Sequence, residues 1–440
     1  MTAAARPRNR LVIIAAATLL QICLGTMYGW SLFQVLLIRE FHWTHAAATG
    51  VFSLEIFVFG FSCAFSGYNL KRVGPRKFAI TGGILFSLSY LTSALALHLN
   101  NVPLFYLCYS VLGGIGSGFA YVTPVSTVAK WFPDSKGPAT AVVLMGFGFG
   151  AFALSKLVAA PLLSVTHGNL ELVFLLIGLL LVLVLIPVTL MLHEAPAGFY
   201  PGQPPAKTLA APQASTAGTP AVTESALGYL LSLQFITLWL VFFFMTGAGI
   251  AVISFQSGLL QQIWSRAEPT CGAAVLAVYG ANLIAVSSLF NAIGRIAWAT
   301  ASVRIGRIGA FRTMIATQLL TFGLMLTVHN PWVFAGLVCY VLFCFGGAFG
   351  TLPAIVLDLY GLERTPVVFG ALLTAFSAAG IGGPMLVAVL QDAYPDRALT
   401  YAFTIAVVGL ASSFIASFLL INRRFRVGKP LLTDLGIAGA

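Results

Sequence analysis

Long apolar stretches recur along nearly the whole chain, and short polar segments separate them. A helix needs about 20 apolar residues to cross the hydrocarbon core of a membrane, and each stretch reaches about that length. Gly and Pro occur within these stretches, as transmembrane helices tolerate. The pattern therefore predicts twelve transmembrane helices. They are expected at residues 11–37, 46–69, 78–98, 103–130, 138–163, 170–192, 232–260, 273–301, 309–328, 332–358, 366–391 and 398–421.

The composition changes the choice of protein class. Of 440 residues, 59% are hydrophobic and 8% are charged, whereas soluble domains average about 25% charged residues. Too few polar side chains remain to cover a soluble globule. A soluble enzyme, a collagen-like chain and a disulfide-stapled secreted domain are therefore excluded. The predicted fold class is an all-α polytopic membrane protein.

The net charge of +11 is explained by where the basic residues lie. With the N-terminus inside, most of the 23 Lys and Arg residues fall on the cytoplasmic side of the predicted helices. Such an excess of positive charge is typical of cytoplasmic loops. We therefore expect a multi-pass protein of the cell (inner) membrane with both termini in the cytoplasm. The basic residues follow the topology and do not indicate nucleic-acid binding.

One long polar segment divides the twelve predicted helices into two sets of six. Residues 194–225 are rich in Pro, Ala, Gly, Ser and Thr and have no helical periodicity, which is typical of a flexible linker. The predicted organisation is an N-terminal six-helix bundle at 1–193, a flexible cytoplasmic linker at 194–231, and a C-terminal six-helix bundle with a cytoplasmic tail at 232–440.

The two sets of helices echo one another. The loop after the second helix reads GYNLKRVGPRK and the loop after the eighth reads ATASVRIGRIGAFR, with matching glycines. A repeat at a constant offset of about 230 residues predicts two pseudosymmetric bundles that rock about a central site, which is alternating access. The residues expected to form the gating loops are Lys71, Arg72, Gly74, Arg76, Arg304, Gly306 and Arg307.

Four further motifs carry a family resemblance: TMYGWSLF at 26–33, KWFPDSKGPATA at 130–141, NAIGRIAW at 291–298 and FGGAFG with the following LYG at 345–361. Together with the paired loops they resemble the major facilitator superfamily. Within it they look like the oxalate/formate antiporter family, which is related to monocarboxylate transporters. The resemblance implies the major facilitator fold, and it implies that an arginine at the position of Arg295 binds a substrate carboxylate.

Two positions depart from that family pattern. Lys71 and Val303 stand where the superfamily loops usually carry an Asp, so the gating contacts must differ here. Phe376 stands where oxalate exchangers of the family have a lysine on helix eleven. The second departure favours a singly charged substrate over a dianion.

Arg295 is the leading candidate for substrate binding. An ionisable residue within the membrane costs about 2.5–3.5 kcal/mol on insertion scales and so needs a reason. Arg295 is predicted two turns inside the cytoplasmic end of helix eight, with Asn291 one turn earlier on the same face. The guanidinium fork matches the two oxygens of a carboxylate. The alternatives are an arginine that reaches the cytoplasmic interface, or one that pairs with Glu55.

Two other intramembrane charges have more than one interpretation. Lys156, near the outer end of helix five, is either a second cation in the substrate path or a side chain that reaches the outer headgroups. Glu55, in the middle of helix two, is either a carrier of a co-transported proton or a partner in a structural ion pair. Burial favours its neutral form. Asp358 is expected to be an interfacial group.

Aromatic residues are expected to complete the pocket. Tyr28 and Tyr121 could donate hydrogen bonds to a carboxylate, and Phe345 and Phe376 could line the opposite half. The alternative for each is ordinary helix packing. Tyr28 also matches the helix-one motif of the resembled family.

The sequence thus predicts a secondary active transporter that moves a lactate-, pyruvate- or formate-like monocarboxylate, either with a proton or by anion exchange. The expected partners are this small anion, a proton in the symport case, and the lipid bilayer, and the protein is expected to be a monomer. No nucleophile–base pair, metal cluster or ATP motif is found, so neither enzymatic activity nor a cofactor or metal is expected. The alternatives are an oxalate/formate-type dicarboxylate antiporter, an exporter of hydrophobic compounds, and a membrane sensor that does not transport.

Overall fold

Twelve long helices form the molecule in a computed structural model that describes residues 10–196, 226–361, 363–394 and 397–420. All twelve are long and apolar enough to cross a membrane. They are α1 (Arg10–Phe41), α2 (Ala46–Val73), α3 (Pro75–His98), α4 (Val102–Trp131), α5 (Lys136–Val165), α6 (Leu170–Met191), α7 (Leu233–Ala267), α8 (Val275–Ile305), α9 (Arg307–Met325), α10 (Pro331–Tyr360), α11 (Thr365–Gln391) and α12 (Ala398–Leu419).

The predicted number of helices is confirmed, and the differences lie at their ends. Helix α7 continues to Ala267, beyond the predicted end at 260, because polar residues such as Gln261 extend the helix past its apolar part. Helix α8 likewise continues to Ile305 instead of ending at 301. Hydropathy detects the apolar segment of a helix but not its polar extension, so the predicted ends of these two helices come before the observed ends.

Several helices begin at a side chain that caps the first turn. Thr44 accepts a hydrogen bond from the backbone N–H of Ala47, and Asn101 and Asn169 accept from the N–H groups three residues later. Ser232 does the same at the start of α7. The first four N–H groups of a helix lack partners within it, so each cap satisfies a donor at a fixed starting residue.

Three of the described helices contain an internal stretch that is not α-helical, and α12 ends in a 3₁₀ turn at Ser417–Leu419. Residues 25–29 of α1 form a 3₁₀ turn, and residues 106–112 of α4 and 153–159 of α5 are π-helical. Such stretches inside long helices often occur at functional sites, because they change the direction of nearby side chains. Tyr28 lies in the first stretch and Lys156 in the third.

The loops after α2 and α8 turn in the same way. Gly74 has φ of 91° and Gly306 has φ of 81°. No atom lies within 4 Å of where a Cβ would stand at either position, so a larger side chain would fit. Glycine is favoured there because the backbone has a positive φ. The sequence repeat at these loops is therefore a repeat of backbone geometry.

Here the N-terminal half means residues 10–196 and the C-terminal half means residues 226–420. The two largest contacts between the halves are those of α2 with α11 and of α5 with α8. On the first, the hydroxyl of Ser377 donates to the backbone carbonyl of Phe57 at 2.9 Å. On the second, the hydroxyl of Ser288 donates to the carbonyl of Gly148 at 2.7 Å. Small residues at these crossings let the backbones approach closely.

Most of the predicted linker, residues 197–225, lies outside the described residues, and so do the termini. Its last part contains a short helix, Ala226–Leu230, immediately before α7. The domain boundaries at 193 and 232 remain predictions. One end of the bundle, here called the basic end, carries Lys71, Lys130, Lys136 and Arg307.

Candidate functional site

Arg295 lies deep inside the molecule on α8. Its side chain is completely buried. About ten residues separate it from the end of the helix at Ile305, which corresponds to roughly 15 Å along the axis. This is nearly three turns, deeper than the two turns that the sequence predicted, because α8 is longer than its apolar segment. The depth does not favour an arginine that reaches the interface.

The guanidinium of Arg295 is largely without hydrogen-bond partners. Its Nε donates to Oδ1 of Asn291 at 3.4 Å. Neither Nη1 nor Nη2 forms a hydrogen bond of ordinary length to a residue that the structure describes, although the hydroxyls of Tyr28 and Tyr121 lie near them. A buried charge without an acceptor is costly, so a charged side chain held in this way is suited to receive an anion.

Two phenylalanine rings flank the guanidinium. Its Cζ lies 5.4 Å from the ring centroid of Phe147 on α5 and 5.2 Å from that of Phe349 on α10. Both distances fall within the range of cation–π attraction. The rings come from opposite halves, so the cation is held between them while its Nη edge stays available.

Tyr28 and Tyr121 lie beside the same group. Both side chains are buried, and both hydroxyls are close enough to Arg295 to interact electrostatically with it. The ring of Tyr28 meets the edge of Phe147 at a centroid distance of 5.1 Å, and the ring of Tyr121 meets it at 5.0 Å. The Tyr121 hydroxyl forms no hydrogen bond to a described residue. The structure therefore brings both predicted tyrosines to Arg295.

Phe345 and Phe376 stand one layer behind. The Phe349 ring is 5.1 Å from each of their ring centroids, and Phe345 is also 5.8 Å from Tyr28. Both are completely buried. They support the aromatic wall, while Phe349 is the member of this group that contacts the cation.

Sequence reasoning missed Phe147 and Phe349. Phe147 stands between two glycines in GFGFGA, and Phe349 stands between an alanine and a glycine in FGGAFG. At Gly148 a Cβ would come 3.1 Å from Nε of Arg295, and at Gly350 it would meet the Arg295 backbone. Glycines in an apolar helix are also typical of ordinary close helix packing, so the sequence does not mark either ring as a contact of Arg295.

A cavity of about 440 Å³ opens at the basic end and leads toward this site. It is here called the vestibule. Lys71, Lys136 and Arg307 line it, and Phe369 lies at its buried limit. Phe369 is stacked with Tyr121 at a centroid distance of 6.3 Å. The vestibule thus reaches an aromatic pair that stands directly before Arg295.

Three of the predicted gating residues, Lys71, Gly74 and Arg307, line the vestibule. Arg307 pairs with Asp358 at 3.4 Å and donates to the hydroxyl of Ser302 at 2.5 Å. Lys71 lines the vestibule and forms no ion pair with a described residue. Arg72, Arg76 and Arg304 are exposed close to the two glycine turns. The interfacial position of Asp358 remains a prediction.

Lys156 lies elsewhere on the α5–α8 contact. Its Nζ donates to Oδ1 of Asn282 at 2.6 Å, which links the two halves. Asn282 precedes Arg295 by 13 positions on α8, roughly 20 Å along the helix. The structure therefore does not bring Lys156 and Arg295 to one anion site.

Glu55 is buried inside the N-terminal half. It interacts electrostatically with Tyr90 and Tyr109, whose hydroxyls lie 3.4 Å apart. Its Oε2 has no hydrogen-bond partner among the described residues. The structure shows no ion pair between Glu55 and Arg295 in the described chain, and this environment suits a neutral carboxyl.

The sequence was compared with protein families and with known proteins. The model of the Major Facilitator Superfamily matches residues 14–384. The oxalate:formate antiporter of Oxalobacter formigenes is 24% identical over 429 residues, covering 96% of this chain and 93% of that protein. Apicoplast pyruvate carrier 1 of Toxoplasma gondii is 25% identical over 455 aligned positions, covering 84% and 81%.

A solved structure shows the same fold. FucP, a transporter of that superfamily in the outward conformation, superposes with a TM-score of 0.64 at 16% sequence identity. The match covers 93% of this chain and 99% of that one. The major facilitator fold predicted from the motifs is confirmed.

Proposed function

We propose that this chain, which belongs to the Major Facilitator Superfamily, carries a small monocarboxylate across the membrane by alternating access. Membership makes it a secondary transporter rather than an enzyme. The substrate class rests on its own residues, and above all on Arg295.

The observation that carries the proposal is the buried, unpaired Nη edge of Arg295. A carboxylate offers two coplanar oxygens at the spacing of a guanidinium fork, and charge-assisted hydrogen bonds of this kind are about twice as strong as neutral ones. Binding also neutralises a cation that the protein otherwise holds in an apolar setting. Tyr28 and Tyr121 stand ready to donate further hydrogen bonds and to exclude water.

The vestibule supplies the route to this anchor. We place the basic end in the cytoplasm, because cytoplasmic loops carry the excess of Lys and Arg. Lys71 and Lys136 would then attract anions to the vestibule mouth. The substrate would pass Tyr121 and Phe369, bind Arg295, and leave on the other side after the halves have rocked.

The number of cations at the anchor favours a monoanion. No second Lys or Arg is found beside Arg295 in the part of the chain that the structure describes, since Lys156 bonds to Asn282. Phe376 occupies the helix-eleven position where family exchangers of oxalate have a lysine. An oxalate- or formate-exchanging carrier is the second candidate, favoured by the relative from Oxalobacter formigenes.

Two modes of coupling are compatible with this site. A proton on Glu55 would move with a neutral arginine–carboxylate pair and give symport. Alternatively, a second anion would return on Arg295 and give exchange. Symport is supported by the buried carboxyl of Glu55, whose Oε2 has no hydrogen-bond partner among the described residues.

Uptake into proteoliposomes tests the proposal. Labelled lactate uptake is measured with and without an inside-alkaline pH gradient, for the unmodified protein, for Arg295→Gln and for Arg266→Gln as a control at an exposed arginine. Saturable uptake that Arg295→Gln abolishes and Arg266→Gln retains is expected. Lactate uptake that persists in Arg295→Gln would remove the anchor, and counterflow of oxalate against formate without lactate uptake would favour the second candidate.

A further inference from the structure

A second, much smaller cavity lies on the side of Arg295 away from the vestibule. It has a volume of about 10 Å³ and is lined by Tyr28, Gln256, Ser287, Ser288 and Asn291 together with apolar side chains. By volume it holds about one water-sized group. Tyr28 and Asn291 line this cavity and also adjoin Arg295, so the cavity lies next to the anion anchor.

The polar groups around this cavity are arranged to donate. Oδ1 of Asn291 already accepts from Arg295, and Oε1 of Gln256 accepts from the hydroxyl of Ser287 at 2.7 Å. Each side-chain amide has one oxygen and one NH₂ group. With both oxygens engaged, the two NH₂ groups remain as donors, and neither donates to a described residue.

Ser288, which also lines the cavity, has its hydroxyl engaged as both a donor and an acceptor. Ser288 donates to the carbonyl of Gly148 and accepts from the backbone N–H of Phe152 at 3.1 Å. Gln256 and Asn291 are almost fully buried, so their free N–H groups must be satisfied inside the protein or by what it binds. The cavity therefore selects for a small hydrogen-bond acceptor.

We propose that Gln256 is a specificity-determining residue: with Asn291 it donates hydrogen bonds to an oxygen on the second carbon of the carboxylate that Arg295 holds. This rests on the proposed function. The second carbon is bonded directly to the carboxylate, so an oxygen on it would point into the cavity beside Arg295 when Arg295 holds the carboxylate. The volume admits one oxygen and excludes a second carboxylate group. The substrate class is thus narrowed to carboxylates with an oxygen on the second carbon, which are 2-oxo and 2-hydroxy acids, because both kinds of oxygen accept hydrogen bonds.

Pyruvate and propionate provide the sharpest comparison, because they share three carbons and a carboxylate and differ in the 2-oxo oxygen. The unmodified protein is expected to prefer pyruvate by at least about tenfold in kcat/KM, since a site built to hydrogen-bond an oxygen rejects the analogue that lacks it. In Gln256→Leu this ratio is expected to fall by about fivefold or more, with propionate uptake retained.

Two further variants control the experiment. Gln256→Met keeps the shape of the side chain without a donor and must give the same loss of preference. Gln262→Leu makes the same chemical change on the same helix outside this cavity and must leave the preference intact. An unchanged pyruvate-to-propionate ratio in Gln256→Met, or no preference in the unmodified protein, overturns the inference.

Failure of this inference differs from failure of the proposed function. If both acids enter in an Arg295-dependent manner but the ratio ignores Gln256, the cavity has only a structural role and the anchor stands. If Arg295→Gln leaves the uptake of both acids unchanged, the anchor itself is wrong, and the specificity role falls with it.

Discussion

The rings of Tyr121 and Phe369 are stacked between the two halves, 17° from parallel and with 6.3 Å between their centroids. Phe369 faces the vestibule and Tyr121 faces Arg295. On the proposed function, a solute that moves from the vestibule to the arginine is expected to pass this pair. Passage requires the rings to rotate or the halves that carry them to separate.

Replacement of Tyr121 by Phe separates the role of its hydroxyl from that of its ring. The hydroxyl is buried without a hydrogen bond to a described residue, so its removal should leave thermal stability unchanged or slightly higher. If it donates to a bound carboxylate, the affinity for substrate should fall by about 10- to 150-fold, as expected for a hydrogen bond to a charged group. Thermal unfolding in detergent and the KM for uptake measure the two effects. A lower melting temperature with unchanged KM would assign the hydroxyl a structural role.

Arg295→Lys tests whether the planar fork matters as well as the charge. A lysine retains the charge but donates from a single point and cannot hold both carboxylate oxygens in the same plane. Uptake is expected to fall at least tenfold while staying above that of Arg295→Gln. Arg312→Lys is the matched control, because Arg312 donates to the carbonyl of Ser417, away from this site. Equal activity of Arg295→Lys and the unmodified protein would contradict bidentate binding.

Gly148→Ala should weaken the contact between α5 and α8. The added methyl group would stand 2.8 Å from Cα of Ala292 and 3.1 Å from Nε of Arg295, both too close for ordinary contact. Overpacking of this kind costs about 1–3 kcal/mol, so both melting temperature and transport should fall. Gly323→Ala on α9 meets nothing within 4 Å and should be neutral or slightly stabilising. Identical behaviour of the two variants would show that α5 and α8 separate easily.

The contact between Lys156 and Asn282 is expected to hold the halves together at the end away from the vestibule. If so, Lys156→Ala, Asn282→Ala and the double variant should change the transport rate by similar factors, because each removes the same hydrogen bond. A double-mutant cycle on the rate of uptake measures this coupling. Effects of the two single variants that simply add in the double variant would show that the contact does not act as a unit.

Glu55→Gln distinguishes symport from exchange. Gln keeps the size of a neutral carboxyl but cannot release a proton, so accumulation driven by a pH gradient should disappear while exchange of labelled for unlabelled substrate persists. Glu171→Gln serves as control, since Glu171 is an acid bonded to His98 at the molecular surface. Unchanged gradient-driven accumulation in Glu55→Gln would assign proton movement to another group or favour anion exchange.

The helices could be predicted, and Arg295 could be singled out as a candidate, because each has a local signature in the sequence. A transmembrane helix needs a continuous apolar stretch, and a lone Arg295 within such a stretch stands out by its cost. Phe147 and Phe349 have no such signature, since phenylalanine is common in apolar helices. Their role depends on which faces of α5 and α10 turn toward α8, and distant parts of the chain decide that.

The proposed role of Gln256 could not be predicted from the sequence either. From the sequence alone, Gln256 is one of several polar residues that an apolar helix can tolerate. Its proposed role depends on the hydrogen bond that Ser287 donates to its oxygen and on Asn291, which lines the same cavity. Both partners lie on α8, about 30 positions later in the chain. Periodicity within one helix carries no information about such a pairing.

Arg295 belongs to the C-terminal half, and its neighbours from the N-terminal half, Tyr28, Tyr121 and Phe147, are uncharged. On the proposed function, a carrier loaded with a monoanion reorients as a neutral unit, whereas an empty carrier reorients with one uncompensated positive charge. Membrane voltage acts on the second step alone, with up to about 2.3 kcal/mol per charge moved across 100 mV. An inside-negative voltage would hold the empty site toward the cytoplasm, so a polarised cell would favour exchange of one bound anion for another over return of the empty carrier.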